Sequence, residues 1–155
     1  MTKLFSTTRF ATTLLAIGIS HSANAGAASG CAIAGPANAA VTIEEFADFE
    51  CKYCVRGSNT MKEILKDYPK KIKLVFRNMP LPAHGSKALT AAKAFSAVCL
   101  QNPSLAYSFQ NELFENQDQF KQDGESYLYD TAEKLWVDVV QMKSDMNGDI
   151  VAKSI

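Results

Sequence analysis

The sequence predicts an α/β domain in which a strand–helix–strand unit is followed by a run of helices. Apolar and polar side chains alternate over residues 41–49 and 71–77, which is typical of β-strands, and the segment between them follows the helical period. The rest of the chain contains helical patterns and no further confident strand pattern. Two strands joined by one helix are expected to lie parallel, with a right-handed crossover.

The composition of the chain fits one globular domain. The 155 residues include 16 basic and 16 acidic side chains, and 47% of the residues are hydrophobic. A formal net charge of zero argues against a nucleic-acid-binding protein, which needs positive charge to neutralise phosphates. The hydrophobic share is too high for a disordered chain, and four cysteines are too few for a scaffold built from disulfides.

Residues 1–25 have the pattern of a secretory signal peptide, with cleavage expected after Ala25. Lys3 and Arg9 make the start positive, residues 10–19 form an uncharged apolar run, and Ala-Asn-Ala closes the segment with small side chains. The apolar run is too short to cross a hydrocarbon core of about 30 Å as a helix. We therefore expect a periplasmic or otherwise exported protein, with a net charge of −2 after cleavage.

Two other interpretations of the amino terminus stay open. The apolar segment could remain as an uncleaved anchor or pack as a core helix. Cys31 follows three small residues, as a lipid-attached cysteine does, although the leucine common at such sites is absent.

The first half of the exported chain is predicted to contain the strand–helix–strand unit. Residues 26–40, rich in Ala and Gly, are expected to be a loose lead-in with a Gly-Pro turn. Residues 41–49 carry apolar side chains on both faces, which favours a strand in the middle of a sheet. Residues 51–68 are predicted to be a helix with a kink near 57–60, where poor helix formers precede a capping-box pattern that begins at Thr60.

Residues 79–155 are predicted to be mostly a helical insertion after the second strand. A Pro-rich loop comes first, and an Ala-rich helix follows it. Asn102 and Pro103 combine an N-cap with a proline at the first helical position, so one helix ends and another begins there. The predicted helices span 86–101, 105–114, 126–140 and 144–154, with a polar linker at 120–125.

The motif that carries chemistry is Cys51-Lys52-Tyr53-Cys54, at the junction between a predicted strand and a predicted helix. Thiol redox chemistry uses the thiolate, and the first turn of a helix favours that anion through its free N–H groups and the positive end of the helix dipole. Cys51 is expected to be the exposed nucleophile. Cys54, on the apolar stripe one turn later, is expected to be the buried resolving cysteine.

Other uses of a Cys-x-x-Cys motif fit less well. Covalent haem attachment needs a histidine after the second cysteine, and this position is Val55. A zinc site needs two more ligands, for which His84 and Cys99 are available without forming a second paired motif. A purely structural disulfide would close a very short loop and stabilise little. We expect no metal and no cofactor.

The segment VTIEEFADFECKYC at 41–54 resembles the active-site segment of DsbA-like proteins of the thioredoxin superfamily, and KIKLVFRNMPLP with the helix that follows also fits that family. The resemblance implies a thioredoxin-like domain over 41–155 and disulfide exchange with exported substrate proteins that carry free cysteines. It also implies a membrane-bound redox partner. Lys52 and Tyr53 would tune the redox potential, and the lysine should favour the thiolate and so make the disulfide more oxidising.

Two polar residues near the motif are further candidates. Glu45 matches an acidic residue that the family places under the active site, where it could exchange a proton with the resolving thiol. It could equally be a half-exposed strand residue paired with a lysine. His84 could shuttle protons or have a structural role, and Asp48 is expected to be a surface acid near the loop.

Three further side chains are expected to have structural roles. Cys99 lies on the apolar stripe of its helix and could be a buried small hydrophobic residue. A second disulfide between Cys31 and Cys99 is the alternative in an oxidising compartment. Trp136 is expected in the core.

The sequence departs from the family after the helical insertion. The family has a strand with a cis-proline facing the motif, then another strand and a last helix, and the chain has no Thr-Pro or Val-Pro. We therefore expect a member truncated before the cis-Pro strand, or one whose sheet is completed by a partner or a second copy. The expected activity is thiol–disulfide exchange, as an oxidase. The alternatives are a non-catalytic remnant and a thioredoxin-like binding or metal-carrying module.

Overall fold

The computed structural model of the protein describes residues 31–155. The predicted signal peptide, its cleavage site and the first part of the lead-in lie outside this range. The strands are β1 (Cys31–Ala34), β2 (Val41–Ala47) and β3 (Ile72–Asn78). The helices are α1 (Lys52–Asp67), α2 (Gly85–Gln101), α3 (Pro103–Glu115), α4 (Gln117–Asp123), α5 (Glu125–Lys134), α6 (Val139–Asp145) and α7 (Asp149–Ala152), and a 3₁₀ turn (Pro82–His84) precedes α2.

The predicted α/β class is confirmed, with β2, α1 and β3 forming the strand–helix–strand unit. β2 and β3 are parallel and in register from the Val41/Ile72 pair to the Ala47/Asn78 pair. The carboxyl ends of both strands therefore lie at one edge of the sheet. The loop that leads to Cys51 starts at this edge, and so does the Pro-rich loop that leads to α2.

Within residues 31–155, β2 lies at the edge of the sheet, so the predicted central position is wrong for the part that the structure describes. The sheet order is β1-β3-β2, and β1 pairs antiparallel with the other side of β3. β3 thus becomes the central strand of the part that the structure describes. The outward face of β2 is open, with Phe46 54% exposed, and the strand ends at Ala47, two residues earlier than predicted.

The predicted lead-in contains β1. Cys31 lies opposite Phe76 of β3 and is buried. The turn after β1 requires glycine, because Gly35 has φ +85° and a Cβ atom there would lie 1.9 Å from the carbonyl oxygen of Ile72. This close approach of Gly35 to Ile72 lets β1 pair with β3.

α1 runs without interruption from Lys52 to Asp67, so the helix does not restart near 57–60 as the capping-box pattern allowed, and the kink stays a prediction. The hydroxyl of Thr60 donates to the carbonyl oxygen of Arg56 at 3.1 Å, a bond within the helix rather than a cap. Burial of one face against the sheet and α3 outweighs the weak local helix propensity of this segment.

The helical region was predicted in outline but not in its boundaries. The N-cap at Asn102 is confirmed, since its side chain accepts from the backbone N–H of Ser104 at 2.8 Å. The predicted polar linker at 120–125 belongs mostly to α4, whose Phe120 is buried. The helix predicted over 126–140 ends at Lys134, and the one predicted over 144–154 is interrupted by a turn before α7.

Trp136 does not enter the core, contrary to prediction. It follows the end of α5 with φ 62° and is 92% exposed. The chain reverses there before Asp138 caps α6 through its side chain. An apolar stripe does not reveal where a helix ends, and the tryptophan lies just beyond that end.

Four packed aromatic rings anchor the edge of the sheet to the helices. Phe49, Phe76, Phe95 and Phe114 are nearly inaccessible, with ring centroids 4.6 to 6.3 Å apart. Such aromatic pairs contribute roughly 0.5–1.5 kcal/mol each beyond the area that they bury. Phe49 is two residues before Cys51, so this cluster holds the loop that leads into the motif.

None of the helices within 31–155 combines the length and the apolar character that crossing a membrane would need.

Candidate active site

Cys51 occupies the N-cap position of α1, directly after the loop from β2. Its backbone N–H donates to the carbonyl oxygen of Asp48 at 3.1 Å, and its own carbonyl oxygen accepts from Cys54 at 3.0 Å. The first turn of α1 contains no acidic residue. The Cys51 sulfur therefore lies at a helix terminus whose free N–H groups and dipole favour an anion.

The pKa of the Cys51 thiol lies below its ordinary value. Desolvation is the largest single influence and raises the pKa, and the nearby Asp48 carboxylate raises it too. Hydrogen bonds from the backbone and the thiol of Cys54 and from the backbone of Tyr53 act in the opposite direction and together outweigh both. Cys51 is thus the more readily ionised thiol of the pair.

The Cys54 thiol has the opposite character. Desolvation raises the pKa of Cys54 to about 11, although its sulfur accepts a hydrogen bond from the backbone N–H of Asp48 at 3.5 Å. The neighbouring Cys51 and the charge of Asp48 raise this pKa further. Both sulfurs are free thiols and both residues are half-buried, so the predicted contrast between an exposed and a buried cysteine is too strong.

Asp48 is buried, contrary to the predicted surface position. One carboxylate oxygen accepts from the N–H of Glu50 at 2.7 Å. The other accepts from the N–H of Leu81 at 2.6 Å and contacts Nδ1 of His84 at 2.8 Å. Asp48 follows β2 and His84 follows β3. Because these strands are parallel neighbours, the loops that follow them meet, and the predicted strands could therefore have indicated the Asp48–His84 pair from the sequence.

Glu45 lies on the inward face of β2, under α1. Its partner is Gln110 of α3, whose side-chain N–H donates to a carboxylate oxygen at 3.2 Å, rather than a lysine. Desolvation raises the pKa of Glu45, and the hydrogen bond from Gln110 offsets only part of that shift. Gln110 is fully buried and was missed, because a glutamine in a helix pattern gives no sign of what it faces.

Lys52 and Tyr53 form the exposed surface of the motif. Tyr53 is 61% exposed, and its ring lies between the ammonium of Lys52, 5.2 Å from the centroid, and the guanidinium of Arg56, at 4.8 Å. Both distances fit cation–π contacts. The predicted tuning roles of Lys52 and Tyr53 stay predictions.

An open groove runs beside the first turns of α1. Its volume is about 470 Å³, and its lining includes Lys52, Val55, Phe114 and Asn116. Lys52 belongs both to the Cys-x-x-Cys motif and to the lining of the groove, so the groove adjoins the motif.

Cys31 and Cys99 form a disulfide that joins β1 to α2, with the Cα atoms 6.3 Å apart. Of the two interpretations left open for Cys99, the disulfide is therefore the one observed. The sulfur of Cys31 is not available for a lipid, and Cys99 is not available for zinc. Within 31–155 no three or more His, Cys, Asp or Glu side chains are grouped so as to hold a metal ion.

Comparison with known proteins agrees with this arrangement. A family model described as thioredoxin matches residues 28–152. The chain belongs to the thioredoxin family. This thioredoxin-family chain is similar to BdbD from Bacillus subtilis in its oxidised crystal structure, with a TM-score of 0.69, 26% identity, and coverage of 81% of this chain and 70% of that one. The thiol-disulfide exchange protein alpha-DsbA2 from Wolbachia pipientis gives 0.69 and 24%, with coverage of 79% and 63%.

Curated relatives of the thioredoxin-family chain are matched over shorter segments. It is 32% identical over 92 residues to disulfide bond formation protein D of Bacillus subtilis, or 59% of this chain and 41% of that protein. It is 39% identical over 69 residues to the Na(+)/H(+) antiporter NhaA 3 of Salinispora tropica, which is 44% of this chain and 10% of that protein. The chain thus spans less than half the length of these relatives. The resemblance to DsbA-like proteins and the predicted thioredoxin-like fold with a helical insertion are confirmed.

Proposed function

We propose that the chain is an exported thiol–disulfide oxidoreductase that transfers the Cys51–Cys54 disulfide to substrate proteins with free cysteines. The observation that carries this proposal is the opposite displacement of two thiol pKa values within one helical turn, below the ordinary value at Cys51 and up to about 11 at Cys54. The Cys51 thiol is suited to act as a nucleophile and as an anionic leaving group, whereas the Cys54 thiol is suited to hold its proton.

The exchange proceeds in two displacements. A substrate thiolate attacks the sulfur of Cys51 in the oxidised pair, the Cys51–Cys54 bond breaks, and Cys54 leaves with the electron pair and takes up a proton. A second substrate thiolate then attacks the substrate sulfur of the mixed disulfide and displaces Cys51 as a thiolate. The substrate gains a disulfide and loses two electrons, which the Cys51–Cys54 dithiol holds.

The low pKa of Cys51 favours the oxidase direction. A thiol that is stable as its anion is a good leaving group, and it stabilises the dithiol form relative to the disulfide. The chain would therefore oxidise substrates and be reoxidised by a membrane-bound redox partner. The signal pattern at 1–25 and the Cys31–Cys99 disulfide support an oxidising compartment such as the periplasm.

Glu45 would supply the proton that Cys54 needs when it leaves. Its pKa is raised by desolvation, so its carboxyl group holds a proton more readily than an exposed glutamate does. Gly57, one turn after Cys54, lies over the Glu45 carboxylate; a Cβ atom placed on this glycine would be 3.6 Å from Oε1 of Glu45. Gln110 holds the side chain in place. In this proposal a water molecule carries the proton between Glu45 and the thiol.

Substrate exchange and mixed-disulfide trapping test the proposal. The oxidised chain is mixed with a reduced, unfolded model protein that contains two cysteines, and substrate disulfides are counted with time. We expect Cys51→Ala to abolish transfer. The reduced Cys54→Ala variant is mixed instead with a model protein whose single cysteine is activated as a mixed disulfide with thionitrobenzoate; the Cys51 thiolate should displace thionitrobenzoate and stay linked to the model protein as a trapped mixed disulfide. The double substitution Cys31→Ala with Cys99→Ala is the matched control, since it removes two cysteines without touching the motif.

Two outcomes would contradict the oxidoreductase proposal. One is unchanged transfer by the Cys51→Ala variant, and the other is a motif that does not exchange with glutathione in the wild-type chain. The second outcome would favour a non-catalytic module. Stoichiometric metal in the purified protein would then identify a metal-carrying module.

A further inference from the structure

The backbone of Asp48 contacts both cysteines of the motif. Its carbonyl oxygen accepts from the N–H of Cys51 at 3.1 Å, and its N–H donates to the sulfur of Cys54 at 3.5 Å. Any movement of residue 48 would therefore displace the nucleophile and the resolving thiol together.

The side chain of Asp48 fixes this backbone in place. Its two oxygens accept N–H groups from Glu50 and from Leu81, which lie in two different loops, and they also contact His84. The Asp48 side chain is 1% exposed, so its carboxylate is buried. A buried carboxylate is costly unless it is hydrogen-bonded and paired with a charge, and His84 is the partner that could carry that charge.

His84 can change its charge without losing this contact. Nδ1 faces a carboxylate oxygen at 2.8 Å, and because that oxygen is an acceptor we assign the hydrogen to Nδ1. Further protonation would then occur at Nε2. The His84 side chain is 28% exposed, so the ring can exchange this proton with solvent. The hydrogen bond persists in both states, while the charge next to Asp48 alternates between zero and +1.

We propose that Asp48 and His84 form a positioning pair that makes the reactivity of Cys51 depend on pH. Asp48 holds both cysteines through its backbone, and protonated His84 cancels the negative charge that Asp48 places beside them. This inference rests on the proposed thiol–disulfide exchange and names a regulation of that same site. It assigns a role to two residues that do not themselves contact the substrate.

The direction of the effect follows from the charges. The Asp48 carboxylate raises the pKa of both thiols, so cancelling it favours the Cys51 thiolate. Within six residues of Asp48 or His84 along the chain, the charged and titratable side chains are those of Glu44 and Glu45 on β2, Glu50 in the loop, Cys51, Lys52, Tyr53 and Cys54 at the start of α1, and Lys87 on α2. The Lys87 ammonium donates to the carbonyl of Lys121 at 2.6 Å. Asp48 is the acidic partner of His84 in the part of the chain that the structure describes.

His84→Asn separates the charge of the histidine from its hydrogen bond. The asparagine amide can donate to Asp48 from about the position of Nδ1 but cannot become charged. The measurement is the rate of iodoacetamide alkylation of Cys51 in the reduced chain from pH 5 to 9, followed by mass spectrometry of the Cys51 peptide. His84 is the single histidine after the predicted signal peptide, so no other histidine contributes to this profile in the processed chain.

We expect His84→Asn to unfold at the wild-type temperature and to alkylate Cys51 about three- to tenfold more slowly at pH 5.5, where one nearby unit charge has an effect of this order. The two profiles should converge toward pH 9. His84→Ala should show the same slower rate at pH 5.5 and also a lower melting temperature. His84→Gln is a second uncharged variant, with its amide one bond further from the backbone. It shows whether a slower rate in His84→Asn comes from the lost charge or from altered packing at this one side chain.

Superimposed profiles for the wild type, His84→Asn and His84→Gln would overturn the proposal. So would a slower rate in the variants that persists unchanged at pH 9, since that points to misplaced cysteines rather than to charge. Alkylation needs no substrate exchange. The profile therefore stays informative if the chain fails to oxidise the model protein, and the two proposals can fail separately.

Discussion

The two cysteine pairs of the molecule have the same chemistry in opposite surroundings. Cys31 and Cys99 are buried, are separated by 68 residues and join a strand to a helix as a closed disulfide. Cys51 and Cys54 are half-buried, lie one turn apart at the start of α1 and are free thiols. What distinguishes the closed pair from the pair that we propose to be reactive is the helix terminus and the hydrogen bonds to sulfur, rather than the cysteines themselves.

The largest expected effect comes from removing the closed pair. Cys31→Ala with Cys99→Ala should lower the free energy of unfolding by about 4 kcal/mol, because the disulfide closes a loop of 68 residues in the unfolded chain. Denaturant titration of oxidised protein measures this loss, and Cys51 alkylation below the transition should not change. If stability changed by less than about 1 kcal/mol, the structural role assigned to this pair would be wrong.

The next comparison is within the reactive pair. At pH 7 Cys51 should alkylate roughly 100-fold faster than Cys54 or more, since the pKa of Cys54 is about 11 and that of Cys51 lies below 9.0. The ratio should shrink as the pH rises toward 11, where the Cys54 thiolate forms. Competitive alkylation followed by peptide mass spectrometry gives both rates. Equal alkylation rates of Cys51 and Cys54 at pH 7 would contradict the assigned difference in pKa between the two thiols.

Glu45→Gln should slow the proton-dependent displacement of Cys54 about tenfold, below the usual range for general acid–base catalysis because the proton passes through water. Stopped-flow formation of the mixed disulfide is the measurement, and Glu44→Gln on the opposite face of β2 is the matched control. An unchanged rate would make Glu45 a structural residue.

The same variant has a stability signature with a defined sign. The folded-state pKa of Glu45 is raised above its ordinary value of 4.5, so the wild type loses stability as the pH rises through that folded pKa. Glutamine does not ionise. Glu45→Gln should therefore be more stable than the wild type at pH 7, and the advantage should vanish below pH 4.5. A stability difference that does not vary with pH would contradict this assignment.

The smallest effect is expected at an exposed residue outside both cysteine pairs. Trp136 has φ 62° and is 92% exposed, so Trp136→Gly relieves a strained backbone while losing few contacts. It should stabilise the chain by about 1 kcal/mol. Circular dichroism melting measures the gain, with Trp136→Ala as the control that keeps the strain. Altered Cys51 alkylation in the glycine variant would show that stability alone affects the reactive pair.

Local patterns predicted the parts of the fold that local physics decides. The strand–helix–strand unit follows from side-chain periodicity, and the placement of the Cys51–Cys54 motif at a helix start follows from its position after a strand. The edge position of β2 could not be predicted, because it depends on β1, a four-residue strand without a strong pattern. The confirmed elements depend on residues close to one another in sequence, whereas the sheet order depends on contacts between segments that are far apart along the chain.

The polar partners in the site escaped prediction for the same reason. Asp48 meets His84 36 residues later, and Glu45 meets Gln110 65 residues later. The segment that carries Glu45 gives no sign that Gln110 will pack against it, whereas the parallel pairing of β2 and β3 does place the loops that carry Asp48 and His84 at one edge of the sheet. The Cys31–Cys99 pair could be named as an alternative because only four cysteines exist in the chain, but choosing it required the packing of β1 beside α2.

Within residues 31–155 the outer edge of β2 is unpaired, which has a consequence for the association of one molecule with another. The N–H of Val41 and the carbonyl of Ala47 bond toward the β3 side, so the backbone groups of Thr42, Glu44 and Phe46 point away from the sheet. An unpaired strand edge is a template for association between molecules. Here Glu44, held in a two-point contact by Arg77 at 2.8 and 2.9 Å, keeps a charge on that strand. Acidic conditions remove the negative charge of Glu44 but leave the guanidinium of Arg77 beside the strand, so this edge keeps a charge at low pH.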